Sequence, residues 1–130
     1  MRKSIIVLAM FVTCSVGALY GQKVAKEGMA WLAEHADPAG ANVDGQYTSK
    51  QWGKVTLTQA EGSREVTGKG DGWKLDGVVS GKKLYLLFSA RGTVNYCAEL
   101  DIESASSLKG QYSTGMMKPK AKMRPMLMTK

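Results

Sequence analysis

Between residues 43 and 112 apolar and polar positions alternate in short runs, and glycines cut the runs at nearly constant intervals. In Lys54-Val55-Thr56-Leu57-Thr58 the apolar side chains share one face, and in 84–88 Leu84, Leu86 and Phe88 oppose Tyr85 and Leu87. Across 94–102, Val94, Tyr96, Ala98, Leu100 and Ile102 separate from Asn95, Cys97, Glu99 and Asp101. A period of two marks a half-buried strand, because successive side chains point to opposite faces of a sheet. Gly62, Gly72, Gly81 and Gly92 lie 10, 9 and 11 residues apart, each in a turn-like cluster. Asp71-Gly72 is the strongest hairpin signal, since a type I′ turn needs positive φ at both central residues. The pattern predicts about seven strands, at 45–49, 53–59, 64–70, 73–80, 83–90, 93–102 and 107–113. Connections this short make neighbours in sequence neighbours in the sheet, and closure removes the exposed edges. The expected fold is mostly β: an antiparallel up-and-down meander closing into a small or flattened barrel, with one short N-terminal helix.

That helix is predicted over 24–36, where Ala25, Met29, Leu32, Ala33 and Ala36 fit a 3.6-residue stripe. Asp37-Pro38 ends it, because the residue before proline avoids the α region. It is expected to cover one end of the barrel, with Trp31 supplying most of its buried area. Within the strands an apolar residue followed two positions later by glycine recurs at Val43-Asp44-Gly45, Val66-Thr67-Gly68, Leu75-Asp76-Gly77 and Leu108-Lys109-Gly110. Glycine weakens a strand interior, so a recurring position calls for tight coiling or a large neighbouring side chain over the backbone.

The segments Gly45-Gln46-Tyr47, Trp52-Gly53-Lys54-Val55-Thr56-Leu57-Thr58-Gln59, Val66-Thr67-Gly68 and Leu108-Lys109-Gly110-Gln111-Tyr112 together resemble bacterial extracytoplasmic small-barrel proteins of the calycin and avidin-like type, over about 70 residues. The resemblance implies an up-and-down barrel and a small hydrophobic or vitamin-like ligand in its mouth. It assigns no individual contact residue. The large aromatic side chains Tyr47, Trp52, Trp73 and Tyr85 are the candidate ligand contacts.

Residues 1–21 read as an export leader. Arg2 and Lys3 are followed by an apolar run from Ile5 to Val12 and then by small residues at Ser15, Gly17 and Ala18. Lipidation at Cys14 is a weaker alternative, because Phe11-Val12-Thr13 is a poor acylation signal. An uncleaved anchor is shorter than the roughly 20 residues a span needs. The expected organisation is leader 1–21, helix and linker 22–40, barrel 41–115 and a basic, methionine-rich tail 116–130, in a periplasmic or secreted protein.

Location changes the meaning of the net charge of +7. Two of those charges lie in the leader and five in the last 15 residues, while residues 22–115 carry 11 basic and 11 acidic side chains. Lys118, Lys120, Lys122 and Arg124 make the tail a candidate for peripheral contact with an anionic membrane or cell-wall polymer. Nucleic acid is not expected, because no aromatics interleave with these lysines. Met123, Met126 and Met128 are candidate thioether ligands for Cu(I). A last strand docking through Met126 and Met128, with Pro125 confining it to an edge, is the plainer alternative.

Enzyme signatures are sparse. His35 is the only histidine, and no phosphate loop, nucleophile elbow or His-Glu-x-x-His motif is present. Glu99 and Asp101 stand on one strand face about 7 Å apart, a spacing usable for inverting glycoside hydrolysis. The same pattern describes a solvated face. Cys97 is expected to be buried, or else to bridge two chains. The resulting expectation is an exported, non-catalytic envelope protein that binds a small molecule, a surface polymer or another protein, without a cofactor. Copper handling is the alternative, and a hydrolase using Glu99 and Asp101 ranks last.

Overall fold

The computed structural model describes residues 19–115 and 122–130, with side chains from Lys26 onward. One helix, α1 (Leu19–Glu34), precedes eight strands: β1 (Gly45–Ser49), β2 (Gly53–Thr58), β3 (Glu65–Gly70), β4 (Trp73–Ser80), β5 (Lys83–Ala90), β6 (Thr93–Ser104), β7 (Ser107–Thr114) and β8 (Met123–Thr129). They form an antiparallel up-and-down meander closed into a barrel in sequence order. The eighth strand lies where a tail was expected, so the barrel continues past residue 115. Alternation explains it: Met126 and Met128 are buried while Leu127 between them and Pro125 and Thr129 on either side are exposed. β8 pairs with β7 from Ser107↔Thr129 to Ser113↔Met123, and with β1 at Thr48↔Thr129. Pro125 therefore lies beyond the end of β1, where its missing N–H breaks no ladder on that side.

The barrel is solid. Val55, Leu57, Leu75, Leu84, Leu86, Phe88, Leu100, Leu108 and Met128 point inward and are essentially inaccessible, as an eight-stranded barrel just wide enough for its own side chains requires. Close coiling accounts for three of the four recurring glycines. A Cβ on Gly68 would strike the backbone oxygen of Thr56, one on Gly77 that of Tyr85, and one on Gly110 that of Glu99. At the turns, both central residues of the β5–β6 connection, Arg91 (φ 55°) and Gly92 (φ 77°), are left-handed. The type I′ turn thus falls there. At Asp71-Gly72 only the glycine has positive φ.

α1 lies against the outer wall of the barrel and not over its end. Leu32 packs with Tyr85, Leu87, Val94 and Cys97 in a second apolar cluster, with Trp31 at its half-buried margin. Leu32, rather than Trp31, is the deeply buried anchor, a contribution of about 1.5–3 kcal/mol. The last turn of α1 carries no basic residue; the Arg64 guanidinium, from the β2–β3 connection, donates to the His35 carbonyl instead, placing a cation at the helix C-terminus. The barrel end is closed by the segment after the helix. Ala39 bridges Gly81, Gly81 N donates to Pro38 O, and Gln59 ties down the chain at Val43 (N to Oε1, 2.8 Å), Ala41 and Ser63.

Candidate functional site

The opposite end carries the β3–β4 and β5–β6 turns and a cluster of rings. Trp52, at the β1–β2 turn, stacks on Phe88 with centroids 4.4 Å apart. Trp73, Tyr96 and Tyr112 meet it edge-on at 5.4, 4.8 and 5.5 Å. Offset and edge-on contacts suit the ring quadrupoles. Trp52 is buried, yet its Nε1 has no hydrogen-bond partner. Trp73 and Tyr96 are half-buried at the margin of the cluster.

Outside the barrel wall, beside Trp73, runs a groove of about 600 Å³ lined by Thr56, Thr58, Thr67, Lys69, Trp73, Lys74, Ser89 and Arg91 together with glycines and Ala90. The hairpin register sets Lys69 directly opposite Lys74 on the outer face of β3 and β4. Like charges so placed repel, by roughly 0.2–1 kcal/mol. No acid lines the groove. Among the described residues the ion pairs run from Lys83, to Glu99 at 3.1 Å and Asp101 at 3.9 Å; Lys69, Lys74 and Arg91 are in neither, and the nearest acids by register are Asp76, opposite Thr67, and Asp71 in the β3–β4 turn. A balanced charge over residues 22–115 therefore coexists with three cations, and no acid, among the residues lining this groove.

The four expected aromatic contacts do not form one site. Trp52 and Trp73 meet in the ring cluster. Tyr47 lies inside the barrel toward the plugged end, its hydroxyl donating to Val43 O at 2.9 Å and Lys130 Nζ 5.3 Å from its ring; burial, then Asp44, pushes its phenol up from 10.0. Tyr85 is outside the barrel under α1, stacked on His35 at 3.5 Å with Trp31 edge-on at 5.6 Å. Burial, then Glu99, raises its phenol as well.

Nor do the three candidate thioethers converge. Met126 and Met128 fill the core, while strand alternation puts Met123 on the other face of β8. Lys118 and Lys120 lie outside the described residues; Lys122 and Arg124 are exposed beside and within β8. Cys97 is buried beneath α1. Glu99 and Asp101 share Lys83 on the outer face. Phe88 and Tyr112 were read from the sequence as strand residues and not as part of a site, and Tyr96, Lys69, Lys74 and Arg91 were not proposed for one, although the two-residue turn at Asp71-Gly72 implies the Lys69–Lys74 pairing.

No family model, no curated protein and no solved structure matches the chain. The architecture, a small closed antiparallel barrel with one short helix, agrees at a coarse level with calycin- and avidin-like small barrels. Among the described residues no helix is long and apolar enough to cross a membrane.

Proposed function

We propose that the protein is a non-catalytic binding module of the cell envelope that engages an anionic ligand with the outside of its barrel, at the end carrying Lys69, Lys74 and Arg91. The observation that carries this reading is the Lys69–Lys74 pair: two cations held face to face on a groove without an acid. An arrangement that repels itself when empty gains most when an anion sits between its members. The filled interior favours an external ligand over an engulfed one. The leader-like order of residues 1–21 favours a place outside the cytoplasm, and the mass and N-terminus of the mature chain check it. Glu99 and Asp101, bound to Lys83 on an outer face, suit an ion-paired surface better than a hydrolytic pair.

Retention on immobilised heparin, used as a generic polyanion, tests the reading. Wild type is expected to elute at a higher salt concentration than Lys69→Gln/Lys74→Gln, while Lys82→Gln/Lys130→Gln, away from the groove, elutes like wild type. Equal elution of the Lys69/Lys74 variant and wild type would overturn it.

A further inference from the structure

The groove has an orientation as well as a charge. Four neighbouring strands each contribute one outward polar side chain to a line across it: Thr56 pairs with Lys69, Lys69 with Lys74, and Lys74 with Ser89. Adjacent strands stand about 4.8 Å apart, so the row extends for roughly 14 Å. Thr58 and Thr67, also register partners, lie beside it on the same wall. At the turn edge stand Arg91 and the half-buried Trp73, whose ring packs against Trp52 and Tyr96 on the barrel side. The surface thus interleaves hydroxyls with cations along a line and offers one aromatic ring at its margin.

Resting on the anionic-ligand reading above, we infer that the ligand is an acidic polysaccharide lying across β2 to β5. Its acidic groups sit on Lys69, Lys74 and Arg91, its hydroxyls hydrogen-bond to Thr56, Thr67 and Ser89, and one sugar ring packs on Trp73. Hydroxyl side chains both donate and accept, which fits a polyol better than a purely anionic partner. Arg91 can take a carboxylate or sulfate through two parallel hydrogen bonds. Other polyanions fit less well. Single-stranded nucleic acid binds by stacking successive bases on several aromatics, and this groove has one. A lipid surface calls for protruding apolar side chains, but among the described residues the exposed large hydrophobics, Met29 and Leu127, lie outside the groove. The groove's 600 Å³ is in the range of ligand sites.

Tryptophan fluorescence titration of the mature chain with polygalacturonate, dextran sulfate, neutral dextran, phosphatidylglycerol vesicles and oligo-thymidylate separates the cases. The expected result is saturable binding of polygalacturonate or dextran sulfate at least 10-fold tighter than neutral dextran, vesicles or oligonucleotide. Lys69→Gln/Lys74→Gln should weaken it at least 10-fold, and Trp73→Phe, which retains a ring in the cluster, should weaken it several-fold and reduce the signal. Vesicles or oligonucleotide binding as tightly as the acidic glycans, with the same loss in the lysine variant, would sink the polysaccharide inference and leave the anionic-ligand reading standing. Binding of neither acidic glycan, or binding untouched by the lysine substitutions, would remove both.

Discussion

At one end of the barrel the 38–44 segment is stitched down by Gln59, which accepts from Val43 N and donates to Ala41 O and Ser63 O. At the other end Trp52 is held by Phe88 and three edge-on rings and keeps an unpaired Nε1. The first closure is made by hydrogen bonds, although Arg64 Nε beside it has no partner; the second is made by ring packing around a buried donor that also lacks one. Buried groups are nearly always paired, so departures from that rule draw attention to where they occur. Trp52 Nε1 shares this departure with Arg64 Nε, His35 Nε2 and Ser113 Oγ, so it singles out neither end. What distinguishes the ring-packed end is the Lys69–Lys74 pair facing itself across the adjoining wall, a local conflict of the kind expected where a surface is kept for something else.

Four measurements break or sharpen this contrast. Trp52→Ala should cost about 3–5 kcal/mol in urea unfolding, whereas Trp52→Phe, which keeps the stack on Phe88 and deletes the orphaned N–H, should cost about 1 kcal/mol or less. Equal losses would mean that Nε1 is satisfied after all. Next, Gln59→Leu should lose about 3 kcal/mol by stranding Val43 N and its companion carbonyls. A loss below about 1 kcal/mol would make the plugged end no more tightly bound than the other.

Lys69→Gln/Lys74→Gln should raise stability by about 0.2–1 kcal/mol at low ionic strength, with the gain shrinking as salt screens the pair. A destabilised variant would show that the two lysines are already compensated. The smallest effect is alkaline. Tyr85 has its folded-state value raised by burial and then by Glu99, so its contribution is complete below pH 10.0 and is lost as pH rises beyond it. Lys83, raised by its hydrogen bond to Glu99, acts with the same sign above its ordinary 10.5. In pH-dependent thermal denaturation, Tyr85→Phe should shallow the decline above pH 10 without abolishing it; an unchanged slope would contradict the burial of that phenol.

Alternation and regularly spaced glycines made most strands legible, because both follow from local geometry. β8 was harder. Its inward Met126 and Met128 alternate correctly, but Lys122, Arg124 and Pro125 give the segment the composition of a tail. The place of α1 could have been read from β5, where Tyr85 and Leu87 oppose Leu84, Leu86 and Phe88 and so require cover on both faces. Tyr85 was grouped with the other rings for that reason: a large aromatic in a strand reveals that it is buried, not on which side. Trp52 and Trp73, chosen by size alone, do lie together. The lysines of the groove escaped notice because a charge total averages over faces, while pairing across a hairpin concentrates it.

Every ladder but one joins strands adjacent in sequence, and the exception, between β1 and β8, is anchored at Thr48↔Thr129. Successive hairpins can form with little loop-closure entropy, leaving this long-range suture to be made last and opened first. Amide hydrogens along β8 should consequently exchange with deuterium ahead of those in β4, β5 and β6, with the ring opening like a clasp while the remaining staves stay together.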